Sequence, residues 1–99
     1  MFMHGAGGDS MGSLAAAGGS SISPDPAFQI QMADLGHDVY FTNNRGNRIS
    51  TGHVQLDPLV DEREYWDFTL EGFAEDVIAS AKVMNENAGT GKGYYFGYS

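Results

Sequence analysis

Ser99 stands two residues after Gly97, at the end of the run Gly93-Tyr94-Tyr95-Phe96-Gly97-Tyr98-Ser99. An aromatic run of this kind reads as a strand, and Gly-x-Ser directly after a strand opens the Gly-x-Ser-x-Gly nucleophile elbow. The chemistry would be acyl transfer. A serine hydroxyl is a poor nucleophile at neutral pH until an adjacent base takes its proton. It must also stand clear of the backbone, which a sharp strand-to-helix turn achieves when glycines let neighbouring backbone come close. The closing x-Gly falls beyond Ser99, and the tripeptide alone equally fits a plain serine after a strand.

A complete match to the pattern lies elsewhere, in Gly8-Asp9-Ser10-Met11-Gly12, followed by Leu14-Ala15-Ala16-Ala17. Its Gly-Asp-Ser run resembles the elbow of the hormone-sensitive-lipase-like esterases. Context argues against Ser10, because the elbow must follow a strand and Gly5 to Gly8 make a poor strand interior. Ser10 then reads as a serine in a glycine-rich loop. The same loop could be an anion-binding nest, but no Lys or Thr follows at phosphate-loop spacing. His4 reads either as a shaper of this loop or as a structural hydrogen-bonder beneath it. His37 and His53 read as surface residues. Arg45 is expected to pair with a carboxylate, either Asp76 or one between Asp57 and Glu64, or else to be solvated. Trp66, with Tyr65 and Phe68, would either pack in the core or line an acyl pocket.

The elements that must position these groups are legible as strands and helices. Met1 to Met3 looks like the end of a buried strand. Asp25 as N-cap and Pro26 at the first helical position predict a helix start. Phe28, Met32 and Leu35 recur at helical spacing, and Gly36 follows as a stop. Asp38 to Thr42 predicts a strand. Met11 to Ser23 is small and polar and reads as a flexible loop, and residues 43–67 read as a long polar connection. Leu70, Phe73, Ala74, Val77, Ile78, Ala81 and Met84 form one apolar stripe, which predicts a core helix capped by Thr69. Tyr94 to Phe96 predicts the last strand. The order strand, helix, strand, helix, strand implies an α/β fold with three parallel strands and two helices. In such sheets sites form at the carboxyl ends of the strands, where the His4 to Gly8 loop, the Asn43 to Asn47 loop and Ser99 all fall.

Composition narrows the partners. Ninety-nine residues allow one domain at most, and the formal charge is −8. Phosphate backbones would be repelled, so nucleic acid is an unfavoured partner. No cysteine is present, and no apolar run approaches the roughly 20 residues that span a bilayer. No metal-ligand spacing, cofactor fingerprint, signal peptide or internal repeat is visible.

Taken together, several blocks resemble the acid lipases, the gastric and lysosomal triacylglycerol and cholesteryl ester lipases. These are His4-Gly5-Ala6, Leu35 to Tyr40, Asn44-Arg45-Gly46-Asn47, Glu64 to Phe68, Asp76, and Tyr94 to Ser99, in the family's order and spacing. The resemblance implies an α/β-hydrolase fold, with residues 1–99 a partial domain that ends at the nucleophile elbow. It implies Ser99 as nucleophile, Ala6 N–H as one oxyanion donor, and His4, Gly5 and Trp66 near the substrate. The second donor would follow Ser99, and the family's Asp and His lie further downstream. All three histidines here precede Ser99, so none fits the base in that order. Tyr98 stands where the family usually has histidine, and Ala6 where it usually has a bulkier residue. The former should alter packing; the latter should matter little to a backbone donor.

The expected function is therefore serine ester hydrolysis of triacylglycerols or steryl esters through an acyl-enzyme, with no cofactor, no metal, a lipid ester as substrate and a lipid interface as surroundings. No obligate protein partner is evident. A secreted or lysosomal location follows from the resemblance. Without second donor and base, the 99-residue chain is expected to be inactive by itself, and with few strands to be hard to fold alone. The alternative is a non-catalytic lipase-like paralogue that binds or scaffolds.

Overall fold

Three short strands lie side by side in a parallel sheet because the chain places an aromatic residue at the same level of each. The computed structural model describes residues 1–15, 25–89 and 92–99. β1 (Phe2–Met3) is central, with β2 (Phe41–Thr42) on one side and β3 (Phe96–Gly97) on the other. Phe2 is in register with Phe41 and with Phe96. Their rings form a ladder across the sheet, Phe2 stacking on Phe41 at 5.9 Å and on Phe96 at 4.8 Å. Same-face pairs of this kind are what stabilises a sheet this narrow.

Side chains alternate along a strand, so Phe2 and Met3 face opposite sides. On the Phe2 side, α2 (Phe28–Asp34) drives the edge of Phe28 against Phe2 at 6.0 Å and Phe96 at 5.5 Å. On the Met3 side, Val77 and Phe73 of α4 (Leu70–Ala88) share a cavity with Met3 and Tyr95. Helices thus flank both faces, as an α/β sheet requires. Two further helices are short: α1 (Ser10–Ala15) and α3 (Glu62–Tyr65).

Several boundaries differ from the sequence expectation. The strands are shorter than Asp38 to Thr42 and Tyr94 to Phe96, because pairing is confined to the levels of Phe2 and Met3. α1 occupies part of the expected loop from Met11; the remainder, residues 16–24, lies outside the described residues. Asp9 makes that helix, accepting the Gly12 N–H at 2.7 Å as a capping residue does. α2 starts at Phe28 with Ala27 as N-cap, not with Asp25 and Pro26; Ala27 is buried and its ψ of 142° is extended, which delays the helix. Its end is as expected. Gly36, at φ +89°, donates to Ala33 O at 2.9 Å and His37 N–H to Met32 O at 3.1 Å, a Schellman pair of bonds.

The polar connection also contains structure. Tyr65, at the end of α3, is buried and its hydroxyl donates to Thr51 O at 2.9 Å. Thr69 holds the N-cap position of α4, but its hydroxyl is turned to the Glu71 carboxylate and caps no backbone N–H. The stripe on α4 is only partly covered, with Leu70 79% and Ile78 57% exposed. Strands two residues long are too narrow to bury a helix of 19 residues.

The Phe2 ring touches three others, so Phe2→Ala should cost about 3 kcal/mol, the lower end for a phenylalanine truncation because the ring is half-buried. A urea midpoint lowered at unchanged m-value is the expected reading; a loss under about 1 kcal/mol would show that the ladder does not carry the sheet.

Candidate active site

The site is built at the carboxyl ends of β1, β2 and β3, where three loops meet. After β1 the chain turns tightly. Gly8 N–H donates to Gly5 O at 2.9 Å, and Gly7 takes φ +76°. That angle belongs to the third position of a type II turn, where glycine avoids a Cβ clash. Within this turn the Ala6 N–H is not used in any hydrogen bond among the described residues.

Ser99, just beyond β3, packs against this loop. A Cβ on Gly5 would stand 2.9 Å from Tyr98 O and 3.0 Å from Ser99 Cβ, so only glycine allows the two loops to approach this closely. Ser99 has φ +53°, the one left-handed angle at a non-glycine residue among the described residues. Such an angle costs of order 1–3 kcal/mol and clusters at functional sites. Tyr98 N–H reaches back to Met3 O at 3.3 Å, which ties the last turn to β1. Ser99, Ala6 and His4 line two cavities, one on each side of the strand ends. One, of about 400 Å³, runs under Leu70, Phe73, Ala74 and Val77 of α4. The other, of about 540 Å³, runs along Phe2, Gly12, Ser13 and Phe96.

His4 is 7% exposed and bonded at both nitrogens. Its Nε2 lies 3.1 Å from Asn44 N and 3.0 Å from Asn47 Nδ2. A backbone N–H can only donate, so Nε2 accepts. The ring proton of the neutral imidazole is then on Nδ1, which donates to Gly5 O at 2.8 Å. His4 shapes the loop and makes no hydrogen bond to Ser99. His53 accepts Gln55 and Leu56 N–H groups at Nδ1, and His37 is exposed beyond α2.

The loop after β2 is held from both sides. Arg45 pairs with Asp76, one of the partners open in the sequence. Nε and Nη2 reach its carboxylate at 3.0 and 2.8 Å, and Arg45 N–H donates to it at 2.8 Å. The guanidinium lies on α4 because residue 72 is glycine; a Cβ there would be 3.1 Å from Nη1. Gly46, at φ +77°, lies under Trp66, where a Cβ would be 2.7 Å from the indole. Trp66 packs there beside Tyr65 and Phe68, and it lines neither cavity that Ser99 lines. Ser10 starts α1 rather than following a strand. Its Oγ accepts from Asn43 Nδ2 at 2.9 Å, and its N–H donates to Asn43 Oδ1 at 2.9 Å. Sequence reasoning missed Asn43 and Asn47. Their signals were the place of the Asn43 to Asn47 loop at the strand ends and, for Asn47, the Asn44-Arg45-Gly46-Asn47 block; neither gave the residues a role.

Among proteins of known name, the chain is 36% identical over 77 residues to lipase member K of Homo sapiens, 77% of this chain and 19% of the relative. It is 30% identical over 80 residues to a probable lipase of Schizosaccharomyces pombe, 80% of this chain and 17% of the relative. Against gastric triacylglycerol lipase of Rattus norvegicus it is 32% identical over 77 residues, again 77% of this chain and 19% of the relative. Over that span the chain is a lipase-family segment. No family model matches the chain, and no solved structure does. The chain spans between 17% and 20% of the length of the curated relatives it matches. This lipase-family segment carries no helix long and apolar enough to cross a membrane, and no cluster of metal-ligating side chains, among the described residues.

Asp9 is an acid-sensitive group beside the site. The Arg48 guanidinium and the Gly12 N–H hold its carboxyl below the ordinary aspartate range. A carboxyl lowered on folding stabilises the fold above its unfolded value of about 3.9 and loses that contribution as pH falls through its folded value. Protection of the Gly12 and Ser13 amides, relative to their intrinsic exchange at each pH, should therefore fall below about pH 4, and Asp9→Asn should remove that acid step. A step that persists in Asp9→Asn would assign it to another group.

Proposed function

We propose that this chain is the part of an α/β-hydrolase lipase that carries the serine nucleophile and the first oxyanion donor. The observation that carries the reading is Ser99. It stands beyond β3 in a left-handed conformation, packed on Gly5 beside a free Ala6 N–H. In the proposed reaction Ser99 Oγ attacks the ester carbonyl, and its proton passes to a histidine outside these residues. The Ala6 N–H and the N–H of the residue after Ser99 hold the oxyanion. The alcohol leaves with the proton, and water releases the acid from the acyl-enzyme. One such oxyanion donor is worth about 10²–10³ in rate.

The cavities and the relatives' names support a substrate class. Leu70, Phe73, Ala74 and Val77 give one cavity beside Ser99 an apolar wall suited to an acyl chain, and a relative is named a triacylglycerol lipase. Triacylglycerols or steryl esters at a lipid interface are the proposed substrates, with no cofactor. A secreted or lysosomal setting goes with that chemistry.

A fluorophosphonate probe on the full-length protein, followed by peptide mapping, tests the reading. The expected adduct is on Ser99. Ser99→Ala should lower kcat about 10⁶-fold, and Gly5→Val, which pushes residues 98–99 off the loop, should lower it on the order of 10²-fold. An adduct on Ser10 overturns the assignment. No adduct on any serine favours a non-catalytic binding role instead.

A further inference from the structure

We propose that Asn47, braced by Asn43, is a positioning residue for the oxyanion donor Ala6, acting through the ring of His4; the catalytic part of this proposal rests on the hydrolase reading above.

The chain of bonds runs through a single peptide group. Gly5 C=O and Ala6 N–H are the two ends of one planar trans peptide, so they point in opposite directions and turn together. Gly5 O is held twice, by His4 Nδ1–H at 2.8 Å and by Gly8 N–H at 2.9 Å. Fixing the carbonyl fixes the direction of the Ala6 N–H. His4 can donate from Nδ1 only while its neutral ring keeps Nε2 bare. Two donors enforce that state from the loop after β2: Asn44 N–H at 3.1 Å and Asn47 Nδ2 at 3.0 Å.

The orientation of each amide follows from unambiguous partners. Asn47 Oδ1 accepts the Ile49 and Ser50 N–H groups at 2.9 and 2.8 Å, so its other end is Nδ2. Asn43 Oδ1 accepts the Ser10 N–H at 2.9 Å and one hydrogen of Asn47 Nδ2 at 2.9 Å. The second Asn47 hydrogen is then aimed at His4. Arg48 adds a further tie from the same loop to Asp9. The turn that presents Ala6 is thus gripped at His4, Asp9 and Ser10 by residues about 40 positions away, in a loop itself anchored to α4 by Arg45 and Asp76.

Asn47→Asp is the informative change. It keeps the Oδ1 that accepts the two turn N–H groups, but it replaces the donor facing His4 with a carboxylate oxygen. The carboxylate favours a second proton on Nε2, which can then no longer accept the Asn44 N–H, so the ring loses its seat between the two loops. Heteronuclear NMR of the His4 ring nitrogens in the full-length protein reads the proton's position. Hydrolysis of a soluble ester by the same protein reads the consequence. The expected result is a proton on Nε2, kcat lowered on the order of 10²-fold as for a misplaced catalytic group, and KM unchanged. Asn47→Ser, which keeps a turn acceptor but is too short to reach His4 and adds no charge, should also lower kcat without moving KM. It serves if the aspartate variant does not fold.

An Nε2 that stays bare in Asn47→Asp overturns the link from Asn47 to His4. A protonated Nε2 with unchanged kcat overturns the link from His4 to catalysis. If the unmodified protein shows no turnover dependent on Ser99, the hydrolase reading and the catalytic part of this proposal both fall. The NMR result then still decides whether Asn47 governs the ring.

Discussion

His4 sits at the mouth of β1 with almost none of its surface in water, so both ring nitrogens must be satisfied by protein groups. One is met by the loop that follows β1 and the other by the loop that follows β2. A single neutral imidazole therefore joins two segments whose backbones never pair beyond Thr42. The first is a tight turn and the second is anchored to α4 by Arg45, and the ring fixes one against the other. This is why a glycine-rich turn can present a backbone donor in a fixed direction without being stiff in itself.

The same logic extends outward in polar contacts rather than apolar burial. The sheet is narrow and α4 leaves Leu70 and Ile78 open, so hydrophobic packing does little to align the loops. Arg45 spans the gap instead, lying on Gly72 with its fork against Asp76. Glycine inside a helix costs roughly 0.5–1 kcal/mol against alanine. At position 72 that cost makes room for the guanidinium, which a methyl group there would crowd at 3.1 Å.

Much of this was legible from sequence where the signal is local. The apolar stripe gave α4 from Leu70, and Gly36 gave the end of α2. The order of strands and helices placed the His4 loop, the Asn43 to Asn47 loop and Ser99 at one end of a parallel sheet. Arg45 was expected either to pair with a carboxylate, with Asp76 among the choices, or to be solvated. The short helices were not legible: α1 is made by a capping aspartate in a run of small residues, and α3 is one turn in an acidic stretch. Nor were the roles of Asn43 and Asn47. Their partners lie about 40 residues away, and a hydrogen bond between loops leaves no periodicity in either. The closeness of Ser99 to Gly5 was implied by the resemblance and not by the spacing of the residues. It depends on strand order, which composition and spacing do not encode.

Strand order also sets a timetable. β1 is the first element of the chain and the centre of the sheet, yet one of its two neighbours is β3, at the other end. Synthesis at about 5–20 residues per second leaves the first strand with an open edge for about 5–20 s before Phe96 exists to stack on Phe2. Such distant pairings bring late reward for early loop closure and slow the folding of any sheet that relies on them. On the ribosome one edge of the apolar Met1-Phe2-Met3 strand thus stays unpaired until Phe96 and Gly97 have been made.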